Sequence, residues 1–267
     1  MLALGSCHAS SHRRRARLAV PGDDGHRSAG AVVERVGQAL GPLRSFVPRP
    51  RTLGGVVYRA GRGVRALALT FDDGPSDWTP DVLDILRDHG AQATFFVLGG
   101  AVQGREEILR RITGEGHELG NHFHGHRDPR TLSDRELESE LQHAGSEISA
   151  ATSTAASLVR PPYGRDARRV SRVAASVGLG PTVLGSIAPR DWCAQRAAPI
   201  VRHVLAAARP GAIVLLHDGV PPAEGASATV SRQPTVDAVA ELVPALTSRG
   251  FALLTVSGLL RGHVCAR

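Results

Sequence analysis

Five short clusters gather residue types that do chemistry together. Thr70-Phe71-Asp72-Asp73-Gly74-Pro75 sets two carboxylates side by side behind an apolar run. Adjacent acids repel unless a cation or a cationic side chain offsets them. Gly120-Asn121-His122-Phe123-His124-Gly125-His126 holds His122 and His126 four residues apart, which aims two imidazoles at one ion if the segment is helical or tightly turned. One Asp and two His leave a position open for water, the pattern of a catalytic rather than a structural ion site. His117-Glu118 followed by His122 has a spacing of five and is therefore not the H-E-x-x-H of zinc peptidases. The remaining clusters are Arg160-Pro161-Pro162-Tyr163-Gly164, Arg190-Asp191-Trp192 and Leu215-Leu216-His217-Asp218-Gly219. An arginine, always charged, can neutralise the surplus carboxylate of the first cluster. Taken singly each is ambiguous: Asp-Gly-Pro is ordinary turn chemistry, and a lone histidine after a strand is more often structural.

Most of these clusters directly follow apolar strands, which places them on one rim. Ala66–Phe71 reads as a strand feeding a turn. Thr79-Pro80 opens a helix, Thr as N-cap and Pro at the first helical position, and Gly90 closes it. Ala93–Leu98 is a strand, Glu106–Thr113 a helix, and Leu132–Ala150 an amphipathic helix with acidic exposed positions. Short apolar strands recur at Ser157–Val159, Thr182–Leu184, Ala212–Leu216 and Ala252–Val256, with helices at Arg165–Val177, Ala194–Ala208 and Val236–Arg249 between them. The alternation predicts a parallel α/β fold, a barrel or a doubly wound sheet. In both, functional groups collect at the carboxyl ends of the strands.

The net charge of +7 and a pI near 10.7 suggest a nucleic-acid binder at first sight. All 32 basic residues are Arg, an Arg-only composition that a GC-rich coding sequence gives whatever the function. The charge is also uneven. Residues 1–66 hold 12 Arg against Asp23, Asp24 and Glu34, whereas residues 67–267 hold 20 Arg against 22 acids, a balance of −2. With aromatics at 4%, the near-neutral body lacks the basic and aromatic interleaving of a nucleic-acid surface, and no nucleic-acid partner is expected. Residues 1–55 read as an Arg-rich leader or linker expected to be disordered, and 56–262 as the catalytic domain. Cys7, Cys193 and Cys265 form no framework, and no apolar run is long enough for a membrane span.

Together, in this order, TFDDGP, NHxxxH, RPPYG, RDW and LLHDG resemble the five motifs of the polysaccharide deacetylase family, the NodB-homology domain of carbohydrate esterase family 4. The resemblance runs from Val56 to Leu260 and includes Ala93–Gly99, Gly116–His122 and Gly250–Val256. It implies a distorted (β/α) barrel of about seven parallel strands. It implies removal of N-acetyl groups from an N-acetylhexosamine polymer, chitin-like or peptidoglycan, by attack of metal-bound water. Asp73, His122 and His126 match the ligands of one divalent ion, with Zn the default and Co, Mn, Ni or Mg alternatives. Asp72 matches the general base, Arg160 the residue that keeps it ionised, His217 the general acid and Asp191 its partner. The backbone N–H of Tyr163 matches an oxyanion donor, and Trp192 and Leu215 match apolar walls around the sugar and the acetyl methyl.

Two positions depart from the family pattern. Phe123 stands where Ser or Thr usually follows the first metal His, and Ala188 stands where many members carry a second Asp. Neither removes a group that touches metal or substrate, so an active enzyme is expected. The same water attack serves an O-acetyl ester, as on xylan or an exopolysaccharide, and no motif separates the two; a more distant alternative is a non-catalytic carbohydrate-binding relative. The expected protein is a monomer acting on acetylated glycan outside the membrane or in the cell envelope, although no complete signal peptide is legible.

Overall fold

Strand β3 (Ala66–Asp72) shows how this sequence sorts its side chains. Every residue of it is buried, so its run of apolar residues is one strand with two covered faces. Successive side chains point to opposite faces. Leu67, Leu69 and Phe71 join the core under the outer helices, while Ala66 and Ala68 face an inner core with Phe96. The same parity sends Thr70 and Asp72 inward. In β4 (Ala93–Val97) it turns Ala93, Phe95 and Val97 outward and Phe96 inward. In β8 (Ile213–His217) it turns Val214 and Leu216 outward and Ile213 inward, with Leu215 and His217 sharing the inner parity.

These strands belong to a computed structural model that describes residues 51–53, 55–61, 63, 65–221 and 230–262. Residues 1–50 of the expected leader, Cys7 and Cys265 lie outside the described residues. The chain order is β1 (Arg51–Leu53), β2 (Val56–Arg59), β3, α1 (Thr79–Asp88), β4, α2 (Glu106–Gly114), β5 (Glu118–Asn121), α3 (Asp134–Thr152), β6 (Leu158–Val159), α4 (Ala167–Ser176), β7 (Thr182–Val183), α5 (Ala197–Ala207), β8, α6 (Gln233–Ser248), β9 (Ala252–Leu253) and α7 (Val256–Arg261). Hydrogen bonding orders the strands β1-β2-β7-β6-β5-β4-β3-β8, with β9 also pairing β3. Only the β1–β2 pairing is antiparallel, which leaves seven parallel strands from β2 to β8 in a curved sheet. Beyond β7, Ser186 and Ile187 hydrogen-bond to Ile213 and Leu215 of β8 and narrow the open side. The distorted (β/α) barrel expected from the motifs is therefore the fold.

Three local expectations change. Thr79 is the first helical residue of α1 rather than its cap; Trp78 occupies the cap, and the Thr79 hydroxyl donates to Asp218 Oδ2 at 2.6 Å. The strand expected over Ala252–Val256 ends at Leu253, because Thr255 caps α7 by accepting from the Gly258 N–H. Strand β1 lies inside the stretch assigned to the leader and pairs with β2, so sheet structure begins ahead of residue 56. Helix α3 starts with a full capping box, in which Ser133 and Glu136 satisfy each other's backbone N–H groups. Among the described residues no helix is long and apolar enough to cross a membrane.

Candidate active site

The carboxyl ends of the strands carry the chemistry. Asp72 closes β3 and pairs in register with His217, the last residue of β8. Asp73 follows in a left-handed backbone conformation (φ 74°), and the loop after β5 carries His122 and His126, with Phe123 at φ 71° and His126 at φ 55°. Tyr163 and Arg190, in the loops after β6 and β7, also have positive φ (both 59°). Non-glycine residues held there cost about 1–3 kcal/mol each and persist where the surroundings fix them. Five of the seven such residues described lie in the motif loops.

Asp73, His122 and His126 are all buried, and one ligand atom of each lies within 4.8 Å of the others. The Nε2 atoms of His122 and His126 stand 3.4 and 3.3 Å from Asp73 Oδ1. That oxygen is buried with no hydrogen-bond donor among the described residues, a costly state for a carboxylate unless a cation meets it. Bonds of about 2.0–2.2 Å to a tetrahedral ion separate its ligand atoms by about 3.3 Å, so the three side chains fit one divalent ion. His122 Nδ1 lies 2.7 Å from the Arg160 carbonyl; donating there leaves Nε2 with its lone pair toward Asp73. Burial pushes His126 down to about 4, aided by neighbouring His122, which keeps the ring neutral as a ligand must be. Burial alone would raise Asp73, but the contact with His122 and the nearby charge of His217 hold it below the usual carboxylate range.

Asp72 is held from one side. Arg160, 1% exposed, donates through Nη1 to Asp72 Oδ1 at 2.6 Å and to the Thr70 hydroxyl at 2.8 Å. Its Nε and Nη2 donate to the carbonyls of Val183 and Leu184, and its guanidinium lies 3.9 Å above the Phe96 ring. Burial pulls the Arg160 pKa down and the Asp72 charge opposes it. The arginine thus fixes the direction of Asp72.

Across the rim, Asp191 is fully enclosed and grips His217 twice, accepting its backbone N–H through Oδ2 at 2.8 Å and meeting its ring Nδ1 through Oδ1 at 2.9 Å. Burial disfavours the imidazolium, but Asp191, then Asp73 and Asp72, raise His217 to about 9. Thr235 of α6 donates a third hydrogen bond to Asp191 at 2.9 Å. No sequence pattern marked Thr235, and it supports Asp191 in a chain that has Ala188 where many relatives have an acid.

Trp192, expected as an apolar wall, is 45% exposed, and Tyr163, expected to offer its backbone N–H, is 47% exposed, the large apolar side chains left open among the described residues; the Tyr163 ring packs 4.6 Å from His126. Leu215 is partly buried on β8, its N–H bonded to Ile187. A cavity of about 240 Å³ opens beside Asp73, between Ser76, Trp78 and Arg105. A larger one of about 950 Å³ surrounds His117 and Phe251 at the amino ends of the strands, away from these groups.

Asp218 and Arg232 were also missed. Burial raises Asp218 to about 7 against the lowering bond from Thr79, and Ser76 Oγ donates to its carbonyl. Arg232 joins the carbonyls of Gly219 and Trp192. Gly219 packs so closely that a Cβ would lie 2.1 Å from the Asp73 carbonyl oxygen, which makes the glycine a condition of the Asp73 position.

A barrel rim bearing an Asp-His-His cluster between a clamped carboxylate and a clamped imidazolium defines a hydrolase site of the carbohydrate esterase kind. The polysaccharide deacetylase model matches residues 60–181. A chitooligosaccharide deacetylase of Bradyrhizobium is 46% identical over 195 residues, covering 72% of this chain and 89% of that protein. A peptidoglycan-N-acetylglucosamine deacetylase of Bacillus cereus is 38% identical over 211 residues, covering 78% and 94%. Among solved structures, a peptidoglycan N-acetylglucosamine deacetylase in complex with 4-naphthalen-1-yl-N-oxidanyl-benzamide superposes with a TM-score of 0.70 at 28% identity, over 78% of this chain and 93% of that one. The chain belongs to the polysaccharide deacetylase family and is an enzyme of that family.

Proposed function

We propose that this enzyme removes N-acetyl groups from a polymer or oligomer of N-acetylglucosamine in the cell envelope or outside the cell, with a divalent ion, Zn by its mixed N and O donors, held by Asp73, His122 and His126. The observation that carries the reading is the buried, donorless Asp73 Oδ1 between two imidazoles, in a chain whose relatives include named chitooligosaccharide and peptidoglycan deacetylases. Such an ion, when bound, acts as a Lewis acid on the acetyl carbonyl and acidifies water. Asp72, held by Arg160, accepts the proton of the attacking water. The N–H of Tyr163 donates to the oxyanion as the carbonyl becomes tetrahedral. His217, charged beside Asp191, gives its proton to the amine as the C–N bond breaks, and the exposed Tyr163 and Trp192 rings bracket the sugar.

Acetate release from chitooligosaccharides, peptidoglycan and acetylated xylan tests this with the metal removed and restored. Chelation is expected to abolish release from the N-acetylated substrates and Zn to restore it. Asp72→Asn and His126→Ala are expected to reduce kcat by at least about a hundredfold. Release from acetylated xylan alone, or equal activity in wild type and both variants, would overturn the reading.

A further inference from the structure

The loop that presents His122 and His126 has no regular structure of its own, and its backbone polar groups are satisfied from outside. Gly99 and Gly100 donate to the carbonyls of Phe123 and His124. Asn121 turns its side-chain oxygen to the Phe123 N–H at 2.9 Å and its amide to the Leu141 carbonyl of α3 at 2.8 Å. Phe123 is completely buried against Leu132, Leu137, Leu141 and Val159, an apolar plug seated on α3. The two N–H groups between the histidines, those of His124 and Gly125, both donate to one atom, Glu140 Oε2 of α3, at 3.0 and 2.7 Å. Glu140 is the acid on that helix whose side chain turns in rather than out, 11% exposed, with Arg127 3.9 Å away.

We infer that Glu140 is a positioning residue for the metal-ligating loop: its single oxygen fixes the segment joining His122 to His126, and hence the convergence of the two imidazoles, without touching the ion. The inference rests on the metal reading of Asp73, His122 and His126. Since one oxygen accepts both bonds, a glutamine carbonyl can replace it, whereas an apolar side chain of similar size leaves two N–H groups without their acceptor. Supporting partners of this kind set metal affinity by about 10–100-fold.

The full-length protein and its Glu140→Gln and Glu140→Leu variants are compared by chelator competition with Zn²⁺ alone, and by amide exchange at His124 and Gly125. Glu140→Gln is expected to stay within about threefold of the wild-type Zn²⁺ affinity. Glu140→Leu is expected to lose about 10–100-fold and to exchange both amides faster. A folded Glu140→Leu variant with wild-type affinity, or equal losses in both variants, overturns the inference. If Glu140→Leu does not fold, Glu140→Asp, one methylene too short to reach, takes its place; wild-type affinity there overturns it equally. Wild-type protein that takes up no Zn²⁺ refutes the metal reading itself, a result separable from wild-type uptake that Glu140 substitutions leave unchanged.

Discussion

His217 and Asp72 sit side by side in register, yet each is held by a partner of opposite kind. Asp191 raises His217 to about 9 although burial opposes it, while Arg160 secures the Asp72 carboxylate at 2.6 Å. Because the folded pKa of His217 lies above its ordinary 6.5, the ring's contribution to stability is complete below about 6.5 and is lost as pH rises through about 9. In the proposed mechanism the same proton serves the leaving amine, so kcat is expected to fall as pH rises through about 9. Asp191→Asn removes the largest raising influence and should move that alkaline limb down by at least about one pH unit, read from acetate release between pH 5 and 10. An unmoved limb would mean that His217 is not the acid. Arg160→Met leaves Asp72 buried and unpaired, and chemical denaturation should show a loss of about 3–5 kcal/mol. Adding Asp72→Asn to it should recover much of that stability and none of the activity.

Strand parity, set by the backbone, converts these residues into a site. Gly120 of β5 illustrates the tolerance: a Cβ there would lie 2.5 Å from the Phe96 ring, which also lies 3.9 Å from the Arg160 guanidinium. Gly120→Ala should therefore cost about 1–3 kcal/mol by overpacking and lower kcat at least about tenfold through a displaced Arg160–Asp72 pair, measured by thermal unfolding beside acetate release. Much of this arrangement was legible in the sequence, because β3, β4 and β8 are apolar runs and β3 and β8 end in polar clusters. Strand β5 was not, since Glu-Leu-Gly-Asn offers one apolar side chain and owes its strand state to β4 and β6 on either side. The hydrogen bonds to Asp191 and to the His124 and Gly125 amides were equally hidden. Thr235 lies 44 residues from Asp191, and Glu140 looks like any exposed acid of an amphipathic helix until the helix is docked. Motif order proposes which residues act; packing shows which residues hold them.

At the scale of the whole molecule, the positive charge gathers in the first quarter of the chain. Residues 67–267 are balanced at −2, residues 46–66 hold five Arg and no acid, and residues 1–45 carry seven Arg against three acids; the compact unit begins at Phe46. The near-neutral body gives no electrostatic reason for affinity to nucleic acid. The arginine-rich segment is expected to act on where the enzyme resides, by attraction to anionic wall polymers that is screened within about 8 Å at 0.15 M salt and reaches about 30 Å at 0.01 M. A chain starting at Phe46 should therefore deacetylate a soluble chitooligosaccharide within about twofold of the full-length rate at either salt concentration. On isolated anionic cell walls the full-length protein should be retained more strongly at 0.01 M salt, and the difference should vanish at 0.15 M. Equal retention at 0.01 M would deny the segment any electrostatic role, and a slower shortened enzyme on the soluble substrate would tie it to the site itself.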